Sequence, residues 1–109
     1  MPPVGVVDRY LGAFWSEGDL AVAEEIFTDD IEFYSAGYPE GLFGKDAISQ
    51  LVSNVRRIVS DLCFAEIRRW TDGTTVVSHY SSHGTRGQWM SLFQLEEDRI
   101  RRIDAFEGR

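Results

Sequence analysis

The spacing of apolar residues changes its period partway along this chain, and that change constrains the fold more than any other feature. Up to Val59 the apolar positions recur mainly at helical spacing, and from Leu62 they alternate in runs bounded by turn residues. Each element then has one apolar face to bury. Helices segregated onto one side of an antiparallel sheet satisfy that need, which predicts an α+β layer architecture.

In the first part, Val7, Tyr10, Leu11 and Phe14 follow the i, i+3, i+4, i+7 pattern of one helix face, entered at Pro2-Pro3 and left at Gly18. Asp19 is placed to cap a second helix carrying Leu20, Ala23, Ile26 and Phe27, which "TDD" closes. "IEFYS" (31–35) alternates as a strand, and "AGYPEGLFG" (36–44) reads as a loop. "KDAISQLVSNVRRIVSD" (45–61) is a third helix, with Asp46 in its first turn where the dipole favours it. "LCFAEIRRW", "TTVVSHYSSHG", "QWMSLFQL" and "IRRIDAFEG" follow as strands, with turns at "TDG", "TRG" and "EEDR".

A length of 109 residues suits one domain over the whole chain, 1–109. The formal charge of −7 does not favour phosphates, so nucleic acid is not an expected partner. The doublets Arg56-Arg57, Arg68-Arg69 and Arg101-Arg102 read as solvated faces paired with nearby carboxylates. No apolar run is long enough to span a membrane, and the start lacks a signal-peptide pattern, so a cytoplasmic location is expected. Cys63 is the lone cysteine; between Leu62 and Phe64 it reads as a small buried hydrophobe. His79 and His83 fall on a predicted strand, where four residues span roughly 13 Å, too far to chelate one ion. No metal is expected.

"RYLGAFWSEGDLAVAEEIFTDDIEFYS", with its aromatic helix, Gly-Asp break and Asp-Asp helix end, resembles the opening of the nuclear-transport-factor-2-like superfamily, SnoaL-like branch. "GLFGKDAISQLV", "HGTRG" and "RIRRIDAFEG" resemble its third helix, a Gly-Thr hairpin and its closing strand. The resemblance implies three helices packed on a curved, mainly antiparallel sheet: a cone with a pocket, commonly homodimeric through the outer sheet face. Members include ketosteroid isomerases, limonene-type epoxide hydrolases, polyketide cyclases, scytalone dehydratases and non-catalytic binding modules, so fold alone does not assign an activity. Transferred residue by residue, the isomerase base falls at Ser35 and its partner near Met90, and the epoxide-hydrolase pair falls at His79 and Ser81. Neither set can do its chemistry. A late catalytic aspartate has a counterpart in Asp104, and His79, His83, Tyr10, Tyr34 and Asp104 match the dehydratase residue types.

Two phases are open for Asp104. Counted with Ile100 and Phe106, it faces the cone among apolar walls, which favour a neutral carboxyl and suit acid–base work. Counted against Ile103 and Ala105, it lies outside beside an arginine. His79 would be its proton-transfer partner, as imidazole titrates near neutrality, or else an ordinary strand histidine. Tyr10 would polarise a ligand oxygen or simply pack. Phe14, Tyr34, Trp89 and Phe106 are the expected pocket walls. Two functions follow: a cofactor-independent isomerase, cyclase or dehydratase acting on a small apolar oxygenated compound, or a non-catalytic module that binds a ligand or assembles with a partner.

Overall fold

The computed structural model describes residues 3–83 and 87–108. Helix α1 (Pro3–Arg9) runs directly into a wider, π-wound segment, Tyr10–Ser16. Glu17 N–H donates to Gly12 O at 2.9 Å and Ser16 Oγ to Leu11 O at 2.7 Å, both bonds spanning five residues. Winding of this i→i+5 kind brings residues five apart together, so Tyr10 and Trp15 turn toward the sheet from one face. Gly18, at φ +71°, reverses the chain. A 3₁₀ turn (Leu20–Val22) and α2 (Ala23–Ile26) follow; Asp19 holds the cap position but its side chain makes no capping bond.

Six strands form one sheet in the order β2-β1-β6-β5-β4-β3. They are β1 (Phe27–Ser35), β2 (Tyr38–Phe43), β3 (Cys63–Thr71), β4 (Thr75–His83), β5 (Gln88–Glu96) and β6 (Arg99–Gly108). β1 runs parallel to β6, and all other pairs are antiparallel. Helix α3 (Lys45–Ile58) turns Ile48 and Val52 inward against β1 and β2, with Asp46 in its first turn. The α+β architecture expected from the change of period is the one observed.

Three local expectations need correction. The strand β1 starts at Phe27 rather than Ile31, because Phe27 packs edge-on against Phe14 at 5.2 Å and Tyr10 at 6.0 Å. Tertiary burial there overrides the helical reading. The expected loop 36–44 contains β2, whose Pro39 is tolerated on an edge strand. Cys63 is exposed, since it pairs with His83 on the outer face while Leu62 is buried. Most of the "TRG" turn lies outside the described residues.

Two bulges decide which side chains face the helices. On β6, Ile103 pairs with Phe93 and Arg102 with Gln94, but the next pair is Ile100 with Leu95, leaving Arg101 as an extra residue. Ile67 is likewise extra on β3, between the pairs Glu66–Tyr80 and Arg68–His79. As a result Ile100, Ile103 and Ala105 all face inward although the first two lie three positions apart. Phe14, Phe27, Phe93 and Tyr10 form the buried aromatic centre, and each such burial contributes roughly 1.5–3 kcal/mol. Arg69 ties α1 to the sheet through Asp8 at 2.6 Å and Glu66 at 2.8 Å. No helix among the described residues is long and apolar enough to cross a membrane.

Candidate functional site

The inner face of the sheet, the π-wound segment and α3 enclose a cavity of about 320 Å³. Its buried wall comes from Tyr10, Trp15, Phe33, Tyr80 and Ala105, with Leu51, Val55 and Phe64 from the helix side and β3. Phe64 joins two of these surfaces, with ring centroids 5.5 Å from Trp15 and 4.9 Å from Tyr80. Trp89 closes another side, and the exposed Gly37, Tyr38 and Glu107 form the rim.

The polar groups in this lining are mainly hydrogen-bond donors. Tyr80 Oη lies 2.8 Å from Ser91 Oγ; that bond uses one of two hydroxyl protons and leaves the other free to donate. Burial pushes the Tyr80 phenol up to about 12. Burial raises the Tyr10 phenol well above its ordinary value, the neighbouring Tyr80 adds to this, and a hydrogen bond with the Trp15 side chain opposes it. Both phenols therefore stay neutral O–H groups through the physiological range. Trp89 Nε1 is buried without a hydrogen-bond partner, an arrangement that costs about 1–3 kcal/mol until an acceptor is supplied. Glu107 contributes the one carboxylate among the described lining residues.

A clamp holds this geometry. Arg56 Nη1 donates to the carbonyls of Trp15 at 2.9 Å, Ser16 at 2.7 Å and Leu62 at 3.1 Å. It thereby fixes the end of the π-wound segment against the entry to β3. Ser16 Oγ accepts from Phe64 N–H at 2.9 Å, adding a second tie at the same place.

The residues singled out from sequence divide between the two faces. Tyr10 and Trp89 line the cavity, while Phe14 is fully buried behind it in the core. Asp104 faces outward: the extra residue Arg101 inverts the phase counted from Ile100, and Arg102 Nε bonds Asp104 Oδ2 at 3.0 Å. His79 is also outward, its Nε2 2.7 Å from Gln88 Oε1. Tyr34 stands on that outer face, donating to Glu32 Oε1 at 2.6 Å with the Arg102 guanidinium 4.5 Å above its ring. Phe106 is 61% exposed there. The expected grouping of Asp104, His79 and Tyr10 around one bound atom is thus not formed, because the sheet separates Tyr10 from the other two. Asp104, Tyr34 and Phe106 instead border a more open depression where β1 ends beside β6, with Ser35 and Ala36. Among the described residues, no group of three or more His, Cys, Asp or Glu is placed to hold a metal ion.

Sequence reasoning missed Tyr80 and Glu107, and left Trp15, near the end of its helix, open between rim, dimer and ligand contacts, whereas it is buried in the lining. On β4 the sets Val76/Ser78/Tyr80 and Val77/His79/Ser81 are equally mixed, so alternation alone does not mark the inner face. The surviving signal was the pairing of Tyr80 with Trp89 across a hairpin, two large aromatics on one face.

The sequence profile of the SnoaL-like domain matches residues 7–103. No curated protein matches the chain. Among solved structures, a SnoaL-like protein of unknown function from Burkholderia thailandensis shares 20% identity with a TM-score of 0.83, covering 98% of this chain and 94% of that one. A nuclear-transport-factor-2-like protein of unknown function from Cytophaga hutchinsonii, at 11% identity, gives 0.82 and covers 99% and 91%. An epoxide hydrolase of the LEH-like type from M. tuberculosis, at 18% identity, gives 0.73 and covers 97% and 82%. At these identities the structural likeness establishes a shared fold.

Proposed function

Since the chain belongs to the SnoaL-like domain family, we propose that its cone binds a small, largely apolar, oxygenated molecule, with capture rather than acid–base turnover as its task. The observation that carries this reading is the lining itself. Seven aromatic side chains surround about 320 Å³ of space, into which neutral phenols offer protons to an acceptor. A ligand oxygen would meet the spare hydroxyl proton of the Tyr80–Ser91 pair or that of Tyr10. Proton abstraction within the cavity would need a base among those walls. The described lining offers only Glu107, at the exposed rim.

Quenching of tryptophan fluorescence by cyclic ketones and substituted phenols tests this, since Trp15 and Trp89 both line the cavity. Saturable quenching that Tyr80→Phe weakens and Asp104→Asn leaves unchanged supports capture in the cone. Multiple turnover of a bound ketone or epoxide would replace capture with catalysis.

We further propose that two copies of the chain associate through the outer sheet face. Trp70, Met90 and Phe106 are 47%, 41% and 61% exposed on that face, an apolar set that a monomer would leave in water. Light scattering on the wild type and on Trp70→Glu checks this: a dimer mass in the first and a monomer mass in the second are expected.

A further inference from the structure

The charge distribution around the cavity is one-sided. No lysine, arginine or histidine lines it among the described residues, whereas Glu107 stands at its rim. The Glu107 side chain has no ion-pair or hydrogen-bond partner among the described residues. It is the cross-strand partner of Trp89, so carboxylate and indole stand side by side on the inner face. The arginines that approach aromatic rings do so elsewhere, Arg68 over Trp70 at 5.8 Å and Arg102 over Tyr34 at 4.5 Å, both on the outer face. Among the described residues, no cation meets the rings of Trp15, Trp89 and Tyr80 inside or of Tyr38 at the rim.

Aromatic faces with a carboxylate beside them attract a positive charge spread over carbon, through the ring quadrupole and direct Coulomb attraction. The net charge of −7 adds a field of the same sign around the whole molecule. We propose that the cone selects an organic cation: a compact apolar or aromatic body carrying an amine or quaternary ammonium group, held at the rim between Glu107 and the Trp89 ring. This rests on the reading of the cone as a capture site and specifies the class of molecule captured. The body, with any oxygen it carries, enters among the phenols, and the nitrogen stays at the mouth.

A pair of probes differing by one atom separates charge from shape. (4-Hydroxyphenyl)trimethylammonium and 4-tert-butylphenol share the phenol and the branched substituent, with nitrogen replaced by carbon in the second. Their affinities are measured by tryptophan quenching and calorimetry for the wild type and Glu107→Gln, at low and high salt. The ammonium compound is expected to bind the wild type about tenfold more tightly than its neutral isostere. That preference is expected to fall below about threefold in Glu107→Gln and to shrink as salt rises. Equal or tighter binding of 4-tert-butylphenol by the wild type would overturn the cation proposal and leave capture in the cone standing. An ammonium preference unchanged in Glu107→Gln would overturn the part assigned to that carboxylate. Binding of neither probe would bring down both the proposal and the reading beneath it.

Discussion

Arg102 and Asp104 lie two residues apart on the outward side of β6, and the guanidinium grips the carboxylate with Nε at 3.0 Å and Nη2 at 3.2 Å. The same guanidinium covers the Tyr34 ring, so the most conspicuous acid of the closing strand belongs to a surface cluster. Asp104→Asn is expected to shift the melting temperature by no more than a few degrees, as for other half-exposed pairs. Ligand quenching is expected to be unchanged. A large loss of affinity in this variant would contradict the placement of the site inside the cone.

The buried phenols make alkaline stability readable. Tyr80 holds its proton to about pH 12 when folded and Tyr10 also titrates well above its ordinary value, whereas both release it near pH 10 in the unfolded chain. The stability they contribute is fully present below pH 10. It falls as pH rises from there through the folded values, because the unfolded state loses protons that the folded state keeps. Denaturant melts between pH 9 and 11.5 check the slope, and the double variant Tyr10→Phe/Tyr80→Phe is expected to flatten it. Absorbance of phenolate in the native protein should rise for Tyr34, whose phenol is raised less, before it does for Tyr10 and Tyr80.

Gly18 and Arg56 constrain each other. A Cβ on Gly18 would stand 2.6 Å from Arg56 Nε, on a backbone at φ +71°. Gly18→Ala therefore adds left-handed strain of about 1–2 kcal/mol and displaces the guanidinium from three carbonyls. Arg56→Lys should not rescue the clamp, because an ammonium lacks the planar fork; a loss of about 2 kcal/mol is expected. Both variants should also weaken ligand quenching, since the clamp positions Trp15. Chemical denaturation with a parallel quenching titration measures the two effects.

Trp89→Phe removes an indole N–H that is buried without an acceptor. Its stability should stay within about 1 kcal/mol of wild type, because the lost packing is offset by relief of the unpaired donor. Trp89→Ala should cost about 3 kcal/mol. A Trp89→Phe variant as unstable as Trp89→Ala would show that the indole N–H is satisfied in solution.

The sheet-rich second half and the helix from Lys45 were legible because their apolar periods are unbroken over many residues. Element edges were less so. Phe27 suits the end of a helix stripe, and its contacts with Phe14 and Tyr10 and its pairing with Ile100 make it strand. Tyr38–Phe43 carries a proline and a glycine, yet as an edge strand it can accept both. Tyr10 and Trp89 were recognised because large aromatics with polar tips stand out at any spacing. Asp104 and His79 were placed in a shared site by residue type. The face of His79 follows an alternation whose two sets are equally mixed, and that of Asp104 depends on a bulge that leaves no mark in composition: nothing in "IRRIDAFEG" announces that Arg101 is opposite no partner of its own.

That unmatched arginine sets the handedness of the cone's chemistry. The two halves of β6 keep Ile100 and Ile103 on one side only because Arg101 takes up a half-step between them. Were the bulge straightened with that residue kept, so that Arg101 paired in step, one half of the strand would have to turn over. If Ile100 kept its place, Ile103 would move to solvent and the aspartate after it would swing in among the aromatic rings. A carboxyl group would then stand among the buried phenols, with no substitution made. On this scaffold, a shift of register by a single strand residue is a shorter route between a receptor and an acid–base catalyst than any exchange of side chains.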